Sequence, residues 1–210
     1  FNVGGAAEHG LSIGDDTGAL FKASDAVVDF THPDATAAHA ALSGETGVAL
    51  IVGTTGLEAQ HMEALGRAAA KAAVVQAANM SVGVNLLLGL TEQVASALGD
   101  DYDIEIAEMH HRHKVDAPSG TALRMGEVAA KALGRDLATA GVYSRHGQIG
   151  ARDAKAIGFS TIRAGDVVGE HSVWFAGTGE RVEITHKATS RAIYAAGAVR
   201  AARWLMDQPN

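Results

Sequence analysis

The chain has no cysteine, only three prolines, and few aromatic residues, 5% of its 210 positions. Without cysteine there is no disulfide framework, no thiolate nucleophile and no Cys-based zinc site. Basic residues are the minority. Lys and Arg number 17 against 24 Asp and Glu, for a net charge of −7. That balance excludes a general nucleic-acid binder, which needs a basic surface. No apolar run approaches the ~20 residues of a membrane span. The opening Phe1-Asn2-Val3-Gly4-Gly5 lacks the basic start and apolar block of a signal peptide. A cytoplasmic protein without a membrane partner is the expectation. There is no initiator Met, so the sequence reads as part of a longer chain. Glycine, in contrast, is abundant at 25 residues, many of them where strands are expected to end. Such positions suit tight turns and close backbone approach to a ligand. With 47% hydrophobic and 20% charged residues, the chain fits a soluble globular protein of one or two domains.

Residues 1–24 show no clear period and read as loop or a partial element. From there the pattern alternates. Ala26 to Phe30 reads as a buried strand, followed by Thr31 as an N-cap and Pro33 just inside a helix over Asp34 to Leu42 that Gly44 and Gly47 break. Val48 to Val52 is an unbroken apolar strand suited to a parallel sheet covered on both faces. A helix over Leu57 to Ala72, a strand over Ala73 to Ala77 and a helix over Val84 to Leu98 follow. This order describes a parallel, doubly wound α/β sheet, which binds ligands at the carboxyl ends of its strands. Thr31, the Gly53–Gly56 loop and the Ala77–Gly83 loop then share one rim.

After Asp100 the pattern changes. Asp103 to His110 alternates with period two, as a half-exposed strand does. Pro118-Ser119-Gly120 opens a helix with Ala122, Met125, Ala129 and Ala132 inward and Gly134 at its close. Residues 135–156 read as loop, with one short strand near Val142-Tyr143-Ser144. Strands over Ile157 to Arg163, His171 to Ala176 and Arg181 to Lys187 are joined as antiparallel hairpins by turns at Gly165-Asp166 and Gly177-Thr178-Gly179. Ser190 to Met206 closes the chain as an amphipathic helix, with Ile193, Ala196, Val199 and Trp204 inward. The expected class is α/β: a parallel-sheet domain over residues 1–81 and 191–210, and an α+β domain with a mostly antiparallel sheet over 82–190.

The segment Glu108 to Ala122 (EMHHRHKVDAPSGTA) carries the densest chemistry. Imidazole donates a proton near neutral pH. Lys114 can hold a carboxylate or act as a second acid. Ser119, Gly120 and Thr121 can present hydroxyl and backbone N–H donors to a carboxylate at a helix start. Asp116 and Pro118 shape the loop, and Arg112 reads as solvated. A site for a substrate bearing carboxylates is the functional reading; a solvated polar loop and a His111–His113 metal site are its rivals. His110 and His111 are neighbours on a strand end and point to opposite faces, so they do not share one ion. Gly53-Thr54-Thr55-Gly56 is either a tight turn or a loop lying along a nucleotide. Asn79 either fixes a ring carboxamide or caps the next helix. His186 and Lys187 face opposite sides of a strand, where packing outweighs catalysis.

Taken together, these segments resemble the dihydrodipicolinate reductases. The run Glu108 to Ala122 is similar to that family's signature. So are Val28-Asp29-Phe30-Thr31, Val52 to Gly56, Ala77 to Asn85, Ile157-Gly158-Phe159, Arg163 to His171 and Ile184 to Ala188. The resemblance implies reduction of a cyclic unsaturated dicarboxylate by NADH or NADPH, in lysine and diaminopimelate biosynthesis. It implies His110 as the acid/base residue and Lys114 as a proton donor that also meets the substrate. His111, with Ser119, Gly120 and Thr121, would bind the substrate carboxylate. Gly53, Thr54, Thr55, Ala77, Ala78, Asn79 and Met80 would line the cofactor, with no metal. It also implies a Rossmann-type first domain and a homotetramer joined through the second sheet. The family's glycine-rich cofactor turn has no counterpart here, since Val3-Gly4-Gly5-Ala6 neither follows a strand nor opens a helix. A catalytically silent binding or assembly module is therefore the alternative, and calorimetric titration with NADH and NADPH separates the two.

Overall fold

A computed structural model of the protein describes residues 13–208. Val3–Ala6 and the reading of residues 1–12 as loop lie outside the described residues. The chain divides into two compact units, one of Phe1–Ala78 with Ala198–Asn210 and one of Asn79–Gly197.

In the first unit the elements are α1 (Thr17–Lys22), β1 (Ala26–Asp29), α2 (Pro33–Thr46), β2 (Ala49–Val52), α3 (Ala59–Ala69) and β3 (Val74–Gln76). The strands form a parallel sheet in the order β1-β2-β3. All four residues of β2 are buried, as an unbroken apolar strand between two neighbours requires. Phe21, Val27, Leu50, Val52 and Leu65 make its core. Full burial of a side chain such as Phe21 is worth about 2–3 kcal/mol.

Two local expectations change in this unit. Thr31 does not cap α2. His32 holds the N-cap position with Pro33 next, and the Thr31 hydroxyl donates to Asp29 instead. Gly44 does not break α2. A Cβ there would sit 3.4 Å from the Ala68 Cα, in ordinary van der Waals contact with α3. The helix ends at Gly47, whose φ of +75° only glycine adopts freely.

The second unit holds α4 (Val82–Leu98), a 3-10 turn at Gly99–Asp101, β4 (Asp103–His110), α5 (Gly120–Ala132), α6 (Leu137–Ala140), β5 (Gly141–Val142), β6 (Ile157–Arg163), β7 (Gly169–Ala176) and β8 (Arg181–Ala188). The strand order is β5-β6-β4-β7-β8. The β5–β6 and β6–β4 pairs are parallel, while β4–β7 and β7–β8 are antiparallel. The sheet is therefore mixed, with most of its paired residues antiparallel as expected. The turn at Gly165-Asp166 joins strands on opposite sides of β4 and is not a hairpin. Turn residues report that the chain reverses; they do not report which strand it then pairs with.

Residues 135–156 contain α6 as well as the short β5, because Asp136 caps a single turn through the Ala138 N–H. The last helix, α7 (Ala192–Met206), crosses the boundary between the units. Its buried residues are Gly197, Ala198 and Leu205, whereas Val199 and Trp204 are exposed. The inward stripe is thus one position out of phase with the expected one.

The register of the mixed sheet explains where its chemistry sits. Alternate residues of β4 face one side, and Ile104, Ile106, Glu108 and His110 are all buried. Ile104 lies between Ile157 and Phe175, and Ile106 between Phe159 and Val173. Both layers pack with Leu87 and Ala95 of α4 and with Met125 and Ala129 of α5. The next layer is Thr161, Glu108, His171 and His186, followed by Arg163 beside His110. An apolar core row becomes a charged row within one strand. α4 with its 3-10 extension is long and apolar enough to cross a membrane by length and composition alone, a run that the sequence reading passed over, yet Val84, Leu87 and Ala95 are buried.

Candidate active site

His110 ends β4, and its Nδ1 lies 2.5 Å from Glu108 Oε2. An ionised carboxylate only accepts, so Nδ1 carries the proton. Nε2 makes no hydrogen bond among the described residues. The opposing strand carries Gly169 at this level, where a Cβ would lie 2.9 Å from His110 Nε2. The glycine makes room for the ring.

Glu108 is only 2% exposed. Arg163 grips it with two hydrogen bonds of 2.8 Å, one to each carboxylate oxygen. The Ser119 N–H donates to Oε1 at 3.0 Å. Burial alone would raise the Glu108 pKa, but Arg163, His110 and the Ser119 N–H hold it below the usual carboxylate range. For His110, burial outweighs the neighbouring Glu108, and the imidazole pKa falls below its ordinary value. His171 packs edge-on to His110 with ring centroids 5.1 Å apart. Burial, aided by the His110 charge, lowers its pKa to about 4, so His171 is neutral at physiological pH.

Lys114 pairs with Asp116 at 2.7 Å. The loop that carries both is pinned to β6, since Arg163 Nη2 donates to the Asp116 carbonyl at 2.5 Å and the Arg112 N–H donates to the Gly165 carbonyl. His111 has a buried Nδ1 with no partner among the described residues. Its ring lies 6.3 Å from that of His113. Among the described residues no three His, Asp or Glu side chains gather as a metal site.

At the start of α5, Ser119 is the N-cap and its hydroxyl accepts from the Ala122 N–H. The same hydroxyl lies 3.0 Å from His171 Nε2. Ser119 is buried with its hydroxyl and N–H both engaged. Its contacts within the protein are to Glu108, Ala122 and His171. The N–H groups of Gly120 and Thr121 have no partner among the described residues, and these are the donors a helix start presents to an anion. Asn79 Nδ2 donates to Thr121 Oγ1 at 3.3 Å, and its Oδ1 accepts from the Ser81 N–H at 2.8 Å. The N-cap of α4 is Ser81, whose hydroxyl accepts from the Val84 N–H, so Asn79 does not cap that helix itself. Met80 is buried.

On the first unit, the residues expected to line a cofactor gather at the carboxyl ends of the parallel strands. Thr54 is buried, donates to Asp29 Oδ1 at 3.2 Å and accepts from the Thr31 N–H at 3.0 Å. Gly53 donates its N–H to the Asp29 carbonyl, and a Cβ there would collide with the Phe30 ring. Thr55 and Ala78 are exposed and Ala77 is half-buried. Exposed donors at strand carboxyl ends are the setting in which open α/β sheets bind nucleotides, so these residues fit a nicotinamide nucleotide.

The reading by sequence missed Glu108, Arg163, His171, Asp29 and His39. One signal was present for Glu108: it sits two residues before His110 on an alternating strand, hence on the same face.

Comparison with known proteins shows the family. The family model described as dihydrodipicolinate reductase, C-terminus, matches residues 83–210, and its N-terminal counterpart matches residues 2–80. The chain belongs to the dihydrodipicolinate reductase family. It is 57% identical over 203 residues to a 4-hydroxy-tetrahydrodipicolinate reductase of Cupriavidus metallidurans, covering 97% of this chain and 77% of that one. It is 58% identical over 207 residues to a relative of the same name from Halorhodospira halophila, covering 99% and 78%. A solved dihydrodipicolinate reductase from Paenisporosarcina sp. TG-14, with dipicolinate bound, shares the fold. It has a TM-score of 0.74 at 20% identity, covering 99% of this chain and 82% of that one. The similarity reaches closer to the N-terminus than the motifs quoted above, which begin near residue 26.

Proposed function

We propose that the protein reduces 4-hydroxy-tetrahydrodipicolinate to tetrahydrodipicolinate with NADH or NADPH, in the route to diaminopimelate and lysine. The reaction adds a hydride and a proton and releases the 4-hydroxyl as water. The observation that carries this reading is His110: an imidazole fixed by a buried carboxylate at Nδ1, with Nε2 free, beside a helix start with two unpaired N–H groups.

A bound nicotinamide supplies the hydride. Gly53, Thr54, Thr55, Ala77 and Ala78 on the first unit would hold it. His110 Nε2 delivers the proton. Burial disfavours its imidazolium in the free protein, but the arrival of a dicarboxylate adds negative charge, which favours the protonated ring. The N–H groups of Gly120 and Thr121 take one carboxylate. His111 and Lys114 meet the substrate from the adjoining loop, and Lys114 must exchange Asp116 for it. The exchange is mild, because both partners keep access to water.

We further propose a homotetramer in the cytoplasm. The support is β8, an edge strand that is exposed over most of its length. Sedimentation equilibrium measures the assembly directly, and a monomer at micromolar concentration counts against it.

The function is tested in the full-length protein by following nicotinamide oxidation with 4-hydroxy-tetrahydrodipicolinate. His110→Gln is expected to lower kcat roughly 10²- to 10⁴-fold with the fold retained. Turnover at the unmodified rate removes His110 from the chemistry.

A further inference from the structure

Among the described residues the buried acids are Asp29 and Glu108. A buried carboxylate costs several kcal/mol unless it is paired, and a buried ion pair is often no more stable than apolar residues of the same volume. Glu108 nevertheless continues a row that begins with Ile104 and Ile106. Its two oxygens accept from Arg163 Nη1 and Nη2, the Ser119 N–H and His110 Nδ1. Two of these bonds are the Arg163 grip, one holds the start of α5, and one holds the imidazole. The same guanidinium holds the Asp116 carbonyl, on the loop that carries Lys114. Stability alone does not require this arrangement; orientation of His110 does.

We propose that Glu108 and Arg163 form a positioning pair for His110. Glu108 fixes the Nδ1–H tautomer and so leaves Nε2 as the atom that exchanges the proton. Arg163 locks Glu108 in place and ties it to the Lys114 loop. Their opposite charges set the pH range in which His110 works. The inference rests on the reading of His110 as the acid. The charged and titratable groups facing His110 are Glu108 on its own strand, Arg163 on β6, His171 on β7 and Lys114 in the loop.

The test uses Glu108→Gln, Arg163→Met, Arg163→Lys and His110→Gln in the full-length enzyme, with kcat, KM and the pH profile measured for each. Glu108→Gln and Arg163→Met should each lower kcat about tenfold or more, with KM for the dicarboxylate little changed. Activity falls as pH rises through the His110 pKa. Loss of the Glu108 charge destabilises the imidazolium and moves that limb to lower pH. Loss of the Arg163 charge moves it to higher pH. Arg163→Lys keeps the charge without the two-pronged grip, so it restores the limb but not kcat. The double variant of Glu108→Gln with His110→Gln should be no slower than His110→Gln alone.

Limbs that stay in place, or losses that add in the double variant, mean that the pair only supports packing and overturn the proposal. An inactive His110→Gln beside a Glu108→Gln of unchanged rate and limb overturns the positioning alone. An active His110→Gln overturns the acid reading, and the positioning with it. Nitrogen NMR of the unsubstituted protein needs no variant to fold. It should show His110 protonated at Nδ1 when neutral, and an Nε2–H tautomer overturns the proposal.

Discussion

Each unit of this protein buries one carboxylate beside a histidine, and the two pairs are built differently. In the parallel-sheet unit, Asp29 accepts from the Thr31 N–H and hydroxyl, the Thr54 hydroxyl and His39 Nδ1 at 3.0 Å. Burial would raise its pKa, but Thr31 and His39 hold it low. Apart from His39 its donors are neutral, and they come from the ends of adjacent strands. Asp29 is a knot that ties the rim loops together. In the mixed-sheet unit, Glu108 faces a full cation, Arg163; both histidines meet their carboxylate through Nδ1, and neither Nε2 makes a hydrogen bond among the described residues. A carboxylate satisfied by hydroxyls fixes backbone; a carboxylate neutralised by arginine can also orient a titratable ring. Both acids are buried beside a histidine, and of the two only Glu108 is also gripped by an arginine.

The comparison can be broken most directly at the histidines. His110→Gln should cost about 3–5 kcal/mol of transition-state stabilisation, the equivalent of 10²- to 10⁴-fold. His39→Gln should leave kcat within a few-fold and act on thermal stability instead. Equal losses of kcat would erase the distinction between knot and positioner.

Stability against pH comes next. The unfolded chain protonates His171 as pH falls below its ordinary 6.5, whereas the native state resists until about 4. The contribution of this group is complete above pH 6.5 and is lost as pH falls to about 4, a change of at most roughly 3 kcal/mol. Asp29 and Glu108, both lowered, steepen the decline at still lower pH. Urea titrations at pH 7 and pH 4.5 read the slope, and His171→Gln should flatten it. A slope that survives this substitution assigns the decline to His110 and His186, whose pKa values burial also lowers.

Asp29→Asn should destabilise the protein by about 1–3 kcal/mol, because at least one buried donor loses its partner. Since Asp29 holds Thr54, KM for the cofactor should rise while kcat holds. A fall in kcat with KM unchanged would place Asp29 in the same role as Glu108.

Gly169→Ala is the smallest change. The added methyl reaches the space of His110 Nε2, and displacing the ring should lower kcat about tenfold with little loss of stability. The control is Gly83→Ala, whose methyl crowds His186 in the adjacent layer. It should disturb packing at the start of α4 and not the pH profile.

Much of the architecture is local and was readable from the chain. The apolar run at Val48 to Val52, the period-two pattern of Asp103 to His110 and the helix start at Ser119 each depend on residues a few positions apart. So did the density of imidazoles and cations between Glu108 and Ala122, and the order of motifs that marks the family. Tertiary structure decided the pairing of β4 with β6 and β7, which made the second sheet mixed and placed Arg163 and His171 around Glu108. It also gave Ser119, Thr31 and Asn79 internal partners. The physical reason is range. Periodicity and capping act within a turn or two, whereas the Arg163–Glu108 bond spans 55 positions. Such a contact exists only because the sheet register brings two strand ends together, and strand register depends on packing of the whole core.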